Sequence, residues 1–196
     1  MIANRRHVLA LLGIGLGLAG CANNTPSALY GLTAADFEMA APARKSRQVL
    51  VPRPRALKAL DSDHIAVVDS GPIYSYFPKA AWADTLPSVV QSKIVETLEG
   101  TQRLRGVGFP GDGLLIDYQL QTELRAFALH IDGRPRAVVE ISARLLNDRN
   151  GRTVATKVFR TEVPSGGSTV DQAVAALNRA GEAVFRDIAS WALQKI

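Results

Sequence analysis

The tightest constraint on the fold lies between Ile116 and Val163, where apolar and polar side chains alternate. Ile116, Tyr118, Leu120, Thr122, Leu124 and Ala126 are interleaved with Asp117, Gln119, Gln121, Glu123 and Arg125. After Asp132-Gly133, the residues Ala137, Val139, Ile141, Ala143 and Leu145 are interleaved with Glu140, Ser142 and Arg144. After Asn150-Gly151 a third run, Thr153 to Val163, mixes apolar and charged positions, so its inward face is not readable from the pattern. Neighbouring side chains of a strand point to opposite faces, and Asp-Gly and Asn-Gly are hairpin turn pairs. The pattern predicts an antiparallel meander, apolar on one face and polar on the other. Such a sheet must bury its apolar face against something else.

Two segments can cover it. Leu86, Val90, Ile94 and Leu98 recur every four residues, with Asp84 or Thr85 as N-cap, Pro87 in the first turn and Gly100 at the stop. Val170, Ala173, Val174, Leu177, Gly181, Val184, Phe185, Ile188 and Ala192 trace one helical face, while Asp171, Asn178, Arg179, Glu182 and Arg186 take the other. Ser168 with Asp171 resembles a capping box. The expected fold is therefore α+β: an antiparallel β-meander sheet with two amphipathic helices packed on one face. Upstream, Leu29–Leu32 reads as a short strand, residues 33–46 as a loop, and Gln48–Val51 as a strand ended by Pro52 and Pro54. His64–Val68 and Ile73–Phe77 read as two more, joined by the turn Asp69-Ser70-Gly71-Pro72.

Composition narrows function chiefly through what is scarce. The 196 residues include one cysteine and three histidines, His7, His64 and His130. That excludes an internal disulfide and a Cys-rich metal site, and is thin for a zinc enzyme. The single cysteine has telling neighbours. Arg5 and Arg6 precede the apolar stretch Val8–Leu18, which is the layout of a secretory signal peptide over residues 1–20. The paired arginines also fit a twin-arginine signal faintly, so the export route stays open. Leu18-Ala19-Gly20-Cys21 resembles the bacterial lipobox, in which the cysteine thiol takes a diacylglyceryl group, the Gly20–Cys21 bond is cut, and the new amino group is acylated, for instance with palmitate. Lipid attachment is thus expected at Cys21 and signal cleavage between Gly20 and Cys21; the competing reading is a secreted protein with a chance cysteine.

Cleavage there would leave 176 of the 196 residues and reduce the formal net charge from +5 to +3, because Arg5 and Arg6 leave without any acidic residue. A charge that small does not point to nucleic acid. Several acyl chains suffice for stable anchoring, and Ala22, in place of Asp, fits sorting to the outer membrane over the inner one. The expected organisation is a signal peptide (1–20), a lipidated N-terminus, tether and loop (21–46), and an α+β domain (47–196).

Catalytic motifs are scarce. No Gly-x-Ser-x-Gly elbow occurs. The loop Gly108-Phe109-Pro110-Gly111-Asp112-Gly113 lacks the Lys-Ser/Thr of a phosphate-binding loop, and Pro110 removes a backbone donor. Asp148-Arg149-Asn150-Gly151 reads as a hairpin turn, not a calcium loop. Asp61, Asp63 and His64 read as an exposed polar turn ahead of an acid–base or metal group. No cofactor, metal or catalytic residue is assigned, and the chain is expected not to be an enzyme. The aromatic group Tyr74, Tyr76, Phe77 and Trp82 has two readings: core packing where a strand hands over to the first helix, or a partly exposed surface that docks a partner. The polar sheet face offers the same choice between solvation and an interface.

The order of these segments resembles the ABC-type transport auxiliary lipoproteins. The residues that carry the resemblance are the lipobox, Leu29-Tyr30-x-Leu32, Tyr74-Ser75-Tyr76-Phe77 followed by Trp82-Ala83-Asp84-Thr85-Leu86-Pro87, Asp117-Tyr118-Gln119-Leu120, and the Ala-rich closing helix. The resemblance covers nearly the whole mature chain; the Pro-rich Val51–Arg55 stretch matches loosely and residues 33–46 not at all. It implies a periplasm-facing, lipid-anchored accessory component of an ABC/MCE-type system that moves phospholipids or related hydrophobic molecules. The implied partners are the membrane through Cys21 and the MCE-domain, permease and ATPase components. Exposed strand edges leave room for a homo-oligomer. The alternative is an envelope-assembly lipoprotein that binds lipopolysaccharide or peptidoglycan.

Overall fold

The computed structural model describes residues 26–38 and 44–196. In chain order the elements are β1 (Ala28–Tyr30), β2 (Arg44–Leu50), β3 (Arg55–Ala56), β4 (His64–Val68), β5 (Tyr74–Trp82), α1 (Leu86–Gly100), β6 (Leu104–Gly108), β7 (Tyr118–His130), β8 (Arg136–Asn147), β9 (Thr153–Pro164) and α2 (Val170–Lys195). All the described strands join one sheet.

The meander is β7–β8–β9, antiparallel throughout. Every β8 position expected to face inward, from Ala137 to Leu145, is fully buried. Strand β7 keeps the expected phase only as far as Leu124. There the pairing slips between Leu124 and Ala126, leaving Arg125 as the extra residue of a bulge. The slip moves the inward set to odd numbers, so Phe127 and Leu129 are buried and Ala126 is not. On the edge strand β9, Phe159 is the buried anchor, which resolves the ambiguous third run.

The rest of the sheet is not antiparallel. Along its other edge β7 receives β2, β3 and β4 in succession, all parallel to it. Strand β2 also pairs in parallel with β6, and β1 with β5; β4–β5 is an antiparallel hairpin. The sheet is thus mixed, within an α+β fold. A parallel pair needs a crossover, and α1 with the following β6 returns the chain to β7 in the direction of β2–β4.

Helix α2 lies across β7–β9 and α1 packs beside it. Leu177, Val184, Phe185 and Ile188 of α2 meet Leu86, Val90, Ile94 and Leu98 of α1 in one core with Val139, Ile141 and Leu145. Fully burying one such side chain contributes about 1.5–3 kcal/mol. The α2 capping box is made by Thr169 and Gln172, one residue beyond the expected Ser168 and Asp171. Residues 31–38 have no regular structure but belong to the fold. Leu32 and Ala35 are buried, Ala35 N–H donates to Thr97 Oγ1 of α1 at 3.0 Å, and Thr33 N–H donates to Asn178 Oδ1 of α2 at 2.8 Å. No described helix is long and apolar enough to cross a membrane.

Candidate functional site

Strand β5 departs from regular geometry at the place where the N-terminal segment joins the sheet. Its pairing with β4 slips between His64 and Ala66: His64 faces Ala81, yet Ala66 faces Tyr76. The surplus residues include Phe77, Pro78 and Lys79. Proline cannot donate to a ladder and is confined to edges and bulges, so Pro78 marks the defect. Lys79 takes a left-handed φ of 55°, a conformation costly to a residue with a side chain. Ser27 holds it there, its N–H and hydroxyl both donating to the Lys79 carbonyl at 2.8 and 2.9 Å. The first described residue, Pro26, therefore lies on the bulge.

A cavity of about 180 Å³ opens here, lined by Pro26, His64, Tyr76, Phe77, Pro78, Lys79 and Ala80. Tyr76 is 40% exposed. Its ring lies 5.1 Å from His64, and its hydroxyl donates to the Ala59 carbonyl at 3.3 Å. Asp63 Oδ1 lies 3.5 Å from His64 Nδ1. Tyr74 and Phe77 are half-buried and pack against the core. Trp82 follows the core-packing reading of the aromatic group and does not belong to an exposed surface. It is 1% exposed and meets Phe127 edge-on at 5.8 Å, so it forms the floor beneath the corner. The reason is that β5 regains its pairing after the bulge, which turns Ala80 and Trp82 into the core, Trp82 against Phe127 of β7. The Trp82 indole N–H finds no hydrogen-bond partner among the described residues. Gly20 and Cys21 lie outside the described residues.

Most charges on the polar face of the meander pair with one another. Asp132, Arg136, Glu162, Arg160, Glu140, Arg125 and Glu123 form one chain of alternating charge, at successive separations of 2.9, 3.2, 2.7, 2.7, 4.0 and 3.7 Å. Hydrogen bonds from the guanidinium groups hold Glu162 and Asp132 below the usual carboxylate range. The candidate acid–base turn is likewise in structural use, since Arg53 bonds Asp61 at 2.6 Å and Thr85, ahead of α1, at 3.0 Å. Among the described residues no three His, Cys, Asp or Glu side chains converge as metal ligands would.

Asp117 is a residue that alternation alone misassigns. It sits in a polar phase, yet it is buried. Its carboxylate accepts from Gln48 N–H at 3.0 Å and from Arg149 Nη2 at 2.7 Å, pinning β2 and the β8–β9 turn to the start of β7. Burial pushes its pKa up, but those hydrogen bonds and the charges of Arg149 and Arg47 outweigh it, leaving the carboxyl lowered.

A family model described as the ABC-type transport auxiliary lipoprotein component matches residues 30–189. The chain belongs to this family. The match runs from β1 into α2, so it covers the bulged corner and the meander alike. Among solved structures, protein XCC0632 from Xanthomonas campestris superposes with a TM-score of 0.81 at 25% identity, covering 86% of this chain and 96% of that one. A PelC variant from Paraburkholderia phytofirmans, solved as a dodecamer, shares the fold at a TM-score of 0.50 and 14% identity, covering 81% of this chain and 96% of that one. The uncharacterized protein bll6063 of Bradyrhizobium diazoefficiens is 29% identical over 154 residues, which is 76% of this chain but 41% of that protein. The chain thus spans less than half the length of that relative. The family is described as an auxiliary lipoprotein component of ABC-type transport, which is not a known enzyme class.

Proposed function

We propose that this auxiliary lipoprotein is anchored through acylated Cys21, faces the periplasm, and serves an ABC/MCE-type system that moves phospholipids or related hydrophobic molecules. It acts by binding and tethering. The observation that carries the reading is positional: a lipobox ends at Cys21, six residues before a fold of this family is clamped at Ser27. Ala22 after the cysteine favours the outer membrane. The seven charges from Asp132 to Glu123 on the meander's outer face are paired with one another, which supports a domain that holds partners by shape and by its anchor, not by a catalytic cleft. Self-association fits as well, since the PelC variant of similar fold is a dodecamer and β9 leaves one long edge unpaired.

The test is affinity capture of the full-length protein from detergent-solubilised envelopes of its own host. Recovery of MCE-domain, permease or ATPase components is the expected result. Their absence, with the protein itself intact and acylated, contradicts the transport assignment.

A further inference from the structure

Anchoring at Cys21 fixes which part of the domain stays near the bilayer, and the bulged corner is that part. We propose that the corner made by Pro26, Tyr76, Phe77 and Lys79 seats directly on the phospholipid surface that holds Cys21, its aromatic rings at headgroup depth and the Lys79 ammonium against lipid phosphates. The proposal rests on the anchoring reading given above. Its first support is covalent reach. Pro26 follows Cys21 by five positions, and a chain spans at most about 3.6 Å per residue, so Pro26 lies within roughly 18 Å of the acylated cysteine. Because Pro26 is itself a wall of the cavity, the cavity cannot leave that zone. Strand β7, about 40 Å long at ~3.3 Å per residue, places the Gly-rich loop with its 86%-exposed Leu115 at the opposite end of the sheet.

Chemistry is the second support. The corner combines an exposed tyrosine, a half-buried phenylalanine and a lysine, with Leu29 on β1 and Ile73 at the tip of the β4–β5 hairpin also strongly exposed. Aromatic rings with one dry and one wet side settle at the membrane–water interface, and flanking lysines meet phosphates there. Asp63 is an acidic group at this corner, lying beside His64, and Asp69 stands on the same hairpin turn as Ile73. Size is the third support. At about 180 Å³ the cavity is smaller than the roughly 300–1,000 Å³ of pockets that enclose a ligand, so it suits contact with a surface and not storage of a whole lipid. The two Ser27 hydrogen bonds to the Lys79 carbonyl tie the N-terminal segment to the corner.

Because Cys21 is the one native cysteine, a cysteine introduced elsewhere is the unique free thiol of the acylated protein. Spin labels on Tyr76→Cys, Leu29→Cys and Leu115→Cys, in full-length protein reconstituted into phosphatidylethanolamine–phosphatidylglycerol vesicles, report collision with lipid-soluble oxygen against a water-soluble nickel chelate. The expected ratio is several-fold higher at positions 76 and 29 than at 115, and Lys79→Glu lowers it at position 76. Equal ratios at all three positions, on protein whose intact mass includes the acyl chains, overturn the seating and leave the anchor standing. An intact mass without acyl chains overturns the anchor and the seating together. Shielding of position 76 that arises only when envelope proteins are added makes the corner a protein-docking face and overturns the proposal.

Discussion

The outer face of the β7–β8–β9 meander and the bulged corner of β5 are both solvent-facing parts of one sheet, and they meet exposure in opposite ways. On the meander every strand is long, the register holds apart from local slips, and seven charged side chains from Asp132 to Glu123 satisfy one another. At the corner the register slips, a proline removes a donor, a lysine sits in a left-handed conformation, and aromatic surface is open to solvent. The first arrangement pairs most of its charges internally, leaving Arg144 and the half-exposed Val158 beside the paired chain. The second stores strain and exposes aromatic surface. Local strain persists where the surrounding structure enforces it, and such places tend to carry function.

The two regions should respond differently to substitution. The largest effect is expected beneath the corner. Trp82→Ala removes a fully buried indole and should cost roughly 3–5 kcal/mol in urea unfolding; a change below 1 kcal/mol would mean that the corner has no rigid floor. Asp117→Ala should cost roughly 1–3 kcal/mol, since it strands the Gln48 N–H. Its pH dependence has a definite sign. Folding lowers the Asp117 pKa from its ordinary value of 3.8, so the stability it supplies is complete above that value. It is lost as pH falls through 3.8 and then through the lower folded value. Asp117→Asn should therefore flatten this part of the acid-unfolding profile, and an unchanged profile contradicts the pin. Lys79→Gly should raise stability by about 1 kcal/mol, because glycine adopts a positive φ without strain; a loss of stability would show that Lys79 is at ease there. The smallest effect belongs to the meander. Arg160→Ala should cost less than about 1 kcal/mol, and the loss should shrink further in 1 M salt.

The amino-acid sequence announces the meander plainly, because alternation along Ala137–Leu145 and two hairpin pairs are local signals. It announces both helices for the same reason. Parallel pairing is invisible at that range: β2, β3 and β4 meet β7 only after α1 has carried the chain across. Strand β6, with two glycines and an arginine in five residues, has no alternation to reveal it. The Arg125 bulge reverses a phase that local reading continues unbroken. At the site, exposure is the part that could not be read. Tyr76 and Trp82 are both aromatic residues of one strand, and a bulge between them sends one to solvent and the other to the core. Pro78 was the available signal, since an internal proline in a strand points to a bulge.

Attachment at Cys21 is tested most directly by the intact mass of the protein extracted from its native membranes. A chain beginning at Cys21 with the added mass of a diacylglyceryl group and an amide-linked acyl chain is the predicted result. A mature chain that begins at another residue, or one that carries no lipid, would contradict it.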